Sequence, residues 1–291
     1  MNEPIVVIGM GRSGTKLLTD ALERLGAFMG VSQDMNDEAL LFLHANIDLM
    51  RTEGARWDAP DPMGPALEDP ARRAELAAMV EPRLQGFSAL SYLGWPRLAR
   101  FRSVGNQTGL WGWKDPRSTW TLPVWRELFP NLRAVHLLRH GVDVAASLRA
   151  VGQSLGMDEG ARQTGVRLGT FRWRGRRVKR PMRQGRWVEE AARFDTLQPA
   201  IELWSRTVDR ARAQMSELGD RAIELRFEDL AGDPEPAIRA LGRLCGVEPS
   251  REQLDEAAGL VDRSRSAAHE RDPELREFAE QNAELLARYG Y

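Results

Sequence analysis

The chain has 291 residues, 42% of them apolar, with 41 Lys and Arg against 42 Asp and Glu and a formal net charge of −1. That size suits one α/β domain over residues 1–291, since no Ser/Gly-rich linker or internal repeat divides it. The balance of charge gives no bulk field for nucleic acid, the single Cys245 excludes an internal disulfide, and no run approaches the roughly 20 apolar residues of a spanning helix.

The opening MNEPIVVIG carries no basic, apolar leader, which points to a soluble, cytoplasmic protein without stable membrane insertion. Apolar β-formers over 4–9 predict a strand that runs into a Gly-rich turn and a helix over 14–27. The turn holds Gly11, Arg12, Ser13, Gly14, Thr15 and Lys16. A strand, a glycine loop and a helix N-terminus make an anion cradle, because unpaired N–H groups and the helix dipole meet there. Gly9 and Gly14 have the spacing of a Walker A loop, but Thr15 and Lys16 stand in reversed order and Arg12 lies inside the loop.

A helix over 36–51 follows, with Leu40, Leu43, Ile47 and Met50 on one face, Glu38 in its first turn and His44 two turns on. Helical segments cross 70–100. A strand over 110–113 leads into Lys114, Asp115 and Arg117 of WGWKDPR; Trp111, Trp113 and Trp120 read as core or wall residues. After a helix near 122–129, a strand over 133–138 ends on Arg139, with Ser147 eight residues on. A Walker B strand ends on an acid that holds Mg²⁺; a guanidinium fork suits a phosphate instead.

Residues 162–187 carry ten Arg or Lys and no acid, and are read as part of a basic insertion or lid at about 152–190. A helix near 188–217, a strand over 222–227 and three helices complete the pattern. Short strands separated by helices predict a three-layer α/β fold, a parallel sheet flanked by helices, with ligands beyond the strand C-termini.

In this order, GMGRSGTKLL, WGWKDPR, the strand ending at Arg139 with Ser147, and AIELRFEDL resemble the sulfotransferases that use 3′-phosphoadenosine 5′-phosphosulfate (PAPS), in their bacterial branch. The resemblance implies a P-loop NTPase-like sulfotransferase fold. It implies PAPS as co-substrate, PAP as product, and no metal or covalent intermediate. Gly11 to Lys16 would bind the 5′-phosphosulfate, Arg139 and Ser147 the 3′-phosphate, with Arg263 and Arg265 of DRSRS closing over it. Arg12 would steady charge on the departing phosphate, Lys114 would bind a sulfuryl oxygen or the acceptor, and Glu38 would take the acceptor's proton, with His44 in reserve. The acceptor would be a hydroxyl or amine of a small molecule, glycan or lipid. Two other readings stand beside this one, a P-loop kinase using Mg-ATP and a non-catalytic nucleotide-binding module. Oligomeric state is left open.

Overall fold

Ile5–Ile8 (β1) is a four-residue strand with every side chain buried. Successive side chains of a strand point to opposite faces, so a strand buried at every position needs cover on both sides of its sheet. The computed structural model, which describes residues 3–34, 36–157, 166–173, 176–183, 194–260, 262 and 266–291, supplies that cover. β1 lies between β3 (Gly112–Lys114) and β4 (Arg133–Leu138), and β4 pairs onward with β7 (Ala222–Arg226). All three pairings are parallel, in the order β3-β1-β4-β7.

On one face Val6, Ile8 and Ala134 pack with Phe42 and Leu49 of α2 (Leu40–Thr52), Leu76 and Val80 of α4 (Pro70–Val80), and Trp125 of α6 (Ser118–Leu128). A short α3 (Met63–Glu68) precedes α4, and α5 (Leu90–Phe101) closes this layer. On the other face Ile5, Val7, Val135 and Leu137 meet Leu18 and Leu22 of α1 (Thr15–Arg24). Leu230 of α9 (Phe227–Gly232), Ile238 and Leu241 of α10 (Pro234–Cys245) and Leu254 of α11 (Arg251–Ala258) complete that layer. A third cluster joins Met10 and Leu138 to α7 (Gly141–Met157) and α8 (Leu197–Leu218). The chain ends in α12 (Ala268–Arg271), α13 (Pro273–Gln281) and α14 (Ala283–Ala287). Among the described residues, no helix is long and apolar enough to cross a membrane.

The expected three-layer parallel α/β sheet is present, with several boundaries moved. α2 begins at Leu40, so Glu38 precedes the helix instead of occupying its first turn. α6 begins at Ser118, because Thr119 and Trp120 are already buried on the sheet. α8 begins at Leu197; the predicted start near 188 lies outside the described residues. Part of the basic insertion is not a loop: β5 (Val166–Trp173) and β6 (Arg176–Arg183) pair antiparallel, and β5 also pairs with β2 (Ser32–Gln33). Alternating Arg with Val, Phe and Trp along 166–183 carries that strand pattern.

β3 and β1 approach so closely that a Cβ at Gly112 would stand 1.9 Å from the Ile5 carbonyl oxygen. Neither backbone can move without breaking the parallel register, Ile5 opposite Gly112. Gly112→Ala is expected to destabilise the fold by more than about 3 kcal/mol in urea unfolding.

Candidate active site

The C-terminal ends of β3, β1 and β4 deliver Lys114, the Gly9–Gly14 loop and Arg139 to one edge of the sheet. Gly9 (φ 124°) leaves β1 against β4: a Cβ there would lie 3.0 Å from both the His136 ring and the Leu137 carbonyl. The Gly9 N–H donates to Thr119 Oγ1 (2.9 Å), and that hydroxyl donates back to the Gly9 carbonyl (3.3 Å). The loop is thus stapled to the start of α6.

Arg12 sits in the left-handed region (φ 73°), a strained conformation for a non-glycine residue. Its Nε donates to Ser147 Oγ (3.0 Å), while Arg139 donates to the Arg12 carbonyl (3.2 Å). The two predicted phosphate sites therefore share one wall. Gly14 (φ 92°) caps α1, and a Cβ there would meet the Phe227 ring at 2.8 Å. That same ring lies 4.7 Å under the Arg139 guanidinium. No acid stands in the first turn of α1, and Ser13 and Thr15 are buried in the cradle. Gly11 has open space where a Cβ would stand, so chain packing does not force glycine there. Lys16 Nζ meets the buried Asp37 carboxylate at 2.6 Å, although its side chain is 52% exposed.

Arg139 also pairs with Asp143 (3.4 Å), and its carbonyl accepts from Trp204 Nε1 (3.0 Å). Asp143 accepts in turn from the Ala268 and His269 N–H groups and meets His269 Nδ1 at 2.9 Å. Burial pushes its carboxyl up, but the His269 bonds and Arg139 outweigh this and hold it below the usual range. This clasp fastens Ala268 and His269 beside Arg139; Arg263 and Arg265 of DRSRS lie outside the described residues. His140, Asp143 and His269 each bring a possible ligand atom within 4.8 Å of the others, a group not foreseen from spacing. The two imidazoles stack in near-parallel planes, 3.7 Å apart.

At the end of β3, Lys114 is 3% exposed and donates to Glu38 Oε1 and to the Asn36 carbonyl, both at 3.0 Å. Arg117 meets the other Glu38 oxygen (3.2 Å) and Asp115 (2.9 Å). Asn46 donates to Asp115 (2.8 Å) and Ser118 (3.0 Å) and accepts from Thr121 and Trp125, both at 2.7 Å. Trp111 and Trp113 are core residues, as expected, with Trp113 stacked on Phe42 at 3.9 Å. His44 is exposed on α2 and, among the described residues, makes no hydrogen bond to this cluster.

Asp34, at the end of β2, turns the chain back on itself. Its Oδ1 accepts the N–H groups of Asn36 and Glu38, both at 2.8 Å. The Asp34–Glu38 turn then holds Lys114 through Glu38 and Lys16 through Asp37. Burial pushes Glu38 up, but Lys114 and Arg117 overcome it and keep Glu38 below the carboxylate range. Asp34 moves the other way, pushed up to about 7 by burial and then by the Glu38 charge. Asp115 is likewise raised, by burial first.

Asp34, Asn46, Thr119, Asp143 and Phe227 were not singled out from the sequence. Asn46 alone left a signal, an amide inside the apolar run of α2.

A family model described as the sulfotransferase family matches residues 4–251. Among solved structures, the chain is similar to the sulfotransferase domain of the curacin biosynthetic pathway, at 15% identity and TM-score 0.49, covering 97% of this chain and 98% of that one. It is also similar to a sulfotransferase from Alicyclobacillus acidocaldarius, at 17% identity and TM-score 0.43, covering 98% and 92%. The sulfotransferase domain of the Synechococcus PCC 7002 olefin synthase gives 17% identity and TM-score 0.45, covering 97% and 94%. No protein of curated function matches the sequence.

An acid raised on folding stabilises the fold most below its unfolded value and loses that contribution as pH rises through its folded value. Wild type should therefore lose stability relative to Asp34→Asn between about pH 4 and about pH 7. Urea unfolding of both proteins at the two ends of this window checks the sign.

Proposed function

The chain belongs to the sulfotransferase family, and we propose that it transfers a sulfuryl group from PAPS to a hydroxyl or amine of a small molecule, glycan or lipid. The observation that carries the donor assignment is the convergence of Arg12, Ser147 and Arg139 on one wall at the sheet's C-terminal edge. A nucleotide with phosphate at both ends of its ribose needs two cationic sites in fixed relation. The cradle fits an anion: no acid stands in the first turn of α1, and Phe227 holds Gly14 and Arg139 together. PAPS, when bound, supplies the activated sulfuryl group on a phosphate leaving group.

Gly11, Arg12, Ser13, Gly14, Thr15 and Lys16 would hold the 5′ end. Arg139 and Ser147 would hold the 3′-phosphate, with Arg263 and Arg265 closing over it. In this reading Arg12 would stabilise charge on the departing phosphate, and Lys114 charge on the sulfuryl oxygens. Both act by fixed electrostatics, which gain strength out of water. Glu38, ionised between Lys114 and Arg117, orients Lys114. The acceptor's proton goes to the Asp34–Glu38 carboxylate pair, whose environments push the two acids apart, one below the usual range and one near neutrality. The β5–β6 hairpin joins β2 immediately before Asp34, which supports its reading as a lid on the acceptor side of one catalytic domain.

A kinase reading finds less support, since β4 is followed by Arg139 and not by an acid for Mg²⁺. A buried Cys245, pushed up to about 12 by burial, suits a reducing cytoplasm without requiring it.

Calorimetric titration with adenosine 3′,5′-bisphosphate is expected to show tight binding indifferent to Mg²⁺. Arg139→Ala should weaken it by roughly tenfold to hundredfold, the value of one or more charge-assisted hydrogen bonds. Preference for Mg-ATP, or no effect at Arg139, would overturn the donor assignment. With the donor site established, labelled PAPS and a panel of alcohols, amines, glycans and lipids identify the acceptor.

A further inference from the structure

One surface takes no part in the donor site. Among the described residues the exposed large apolar side chains are Phe87 (76%), Trp95 (64%) and Met79 (37%). Phe87 and Trp95 are not scattered: their rings meet edge to face at 5.9 Å. A large aromatic pair held in water has a cost that burial against a partner would remove.

The display is rigid. α5 breaks at Gly94 (φ 68°, ψ 168°), where a Cβ would meet Val31 at 3.2 Å, and the chain leaves that break through Trp95 and Pro96. Before the break, Tyr92 is fully buried and donates to the Gly112 carbonyl at 2.6 Å. On the other side, the Gly86 N–H donates to the Arg102 carbonyl (2.9 Å), tying the Phe87 turn to the end of α5. Trp95 therefore stands out from a packed helix, and not from a free loop.

The surroundings are cationic. From Pro82 to Trp113 the chain carries Arg83, Arg97, Arg100 and Arg102 and no acid, although Arg83 pairs with Asp48 (2.7 Å) and Arg97 lies over the Phe28 ring. Arg100 and Arg102 are exposed, in the two turns that follow Trp95. Trp and Phe beside Arg is the composition that seats a protein at a bilayer interface, the rings at headgroup depth and the cations on anionic lipid. A second copy of the chain fits this surface less well. A two-fold contact centred on it would set Arg100 and Arg102 against their own counterparts.

We propose that Phe87 and Trp95, with Arg100 and Arg102, dock this protein reversibly on an anionic membrane surface. The Tyr92 carbonyl accepts from Val31, and Arg97 lies over the Phe28 ring at 3.9 Å, so α5 is fastened along residues 28–31. The docking does not rest on the sulfotransferase reading.

The test is co-sedimentation of the full chain with vesicles of phosphatidylcholine alone and of phosphatidylcholine with phosphatidylglycerol, at low and high salt. Wild type should pellet with the anionic vesicles at low salt, and Phe87→Ser/Trp95→Ser and Arg100→Ala/Arg102→Ala should each weaken partition by on the order of tenfold. The basic hairpin could also attract anionic lipid, so partition left unchanged in Phe87→Ser/Trp95→Ser would overturn the proposal. Absence of partition by wild type would overturn it too. Self-association in analytical ultracentrifugation that this double variant abolishes, with no vesicle binding, would reassign the face to a second copy. Titration of the same variant with adenosine 3′,5′-bisphosphate should match wild type. That shows the fold intact and keeps failure of docking separate from failure of the donor site.

Discussion

The rest of the site depends on a group of buried charges at the end of β3. Lys114, Glu38, Arg117 and Asp115 are each nearly shut off from water. Removing an ion from water costs several kcal/mol even after relaxation, and Coulomb attraction repays it only where every remaining donor and acceptor is satisfied. Here Asn46 donates to Asp115, and Ser118, Thr121 and Trp125 in turn satisfy Asn46. Such a cluster has little freedom to rearrange, because breaking one pair strands a charge. Three elements are held through it: α2 by Asn46, the Asp34–Glu38 turn by Lys114, and α6 by Arg117. From α6, Thr119 reaches the first glycine of the phosphate loop.

Across the sheet edge the arrangement is cation beside acid throughout. Lys16 lies on Asp37, Lys114 on Glu38, and Arg139 on Asp143. Each acid fixes its cation's position while lowering the local positive potential, so a ligand with several negative charges gains most by meeting all of them at once. Arg12 and Ser147 join the two halves of that surface. The fold contributes alignment: parallel strands end at one edge, and a side chain at each end costs no loop to position. Phe227 adds a purely steric element, one ring that fills the space a Cβ at Gly14 would need and floors the Arg139 guanidinium.

The acid turn shows how one local motif produces opposite acid strengths. Asp34 and Glu38 lie four residues apart and are both buried, yet one is raised and the other lowered. Burial acts upward on both. The difference is that two cations face Glu38, while Asp34 faces the Glu38 charge with the backbone amides of its own turn as its close partners.

By itself the sequence determined the strand, loop and helix that open the chain, the Arg that follows β4, and the parallel α/β class. Each is carried by local periodicity, glycine spacing and residue order within about 15 positions, which a linear reading can see. The tertiary structure alone decided that Arg12 reaches Ser147 and that Lys16 lies on Asp37. It also drew Glu38 off the helix into a cluster with Lys114 and Arg117, made a hairpin of part of the basic segment, and gave Asn46 its role. Glu38 and Lys114 are 76 residues apart, and Arg12 and Ser147 are 135 apart. Such pairs leave no periodic trace: they form only when neighbouring strands bring their C-terminal ends together and burial makes each charge require a partner.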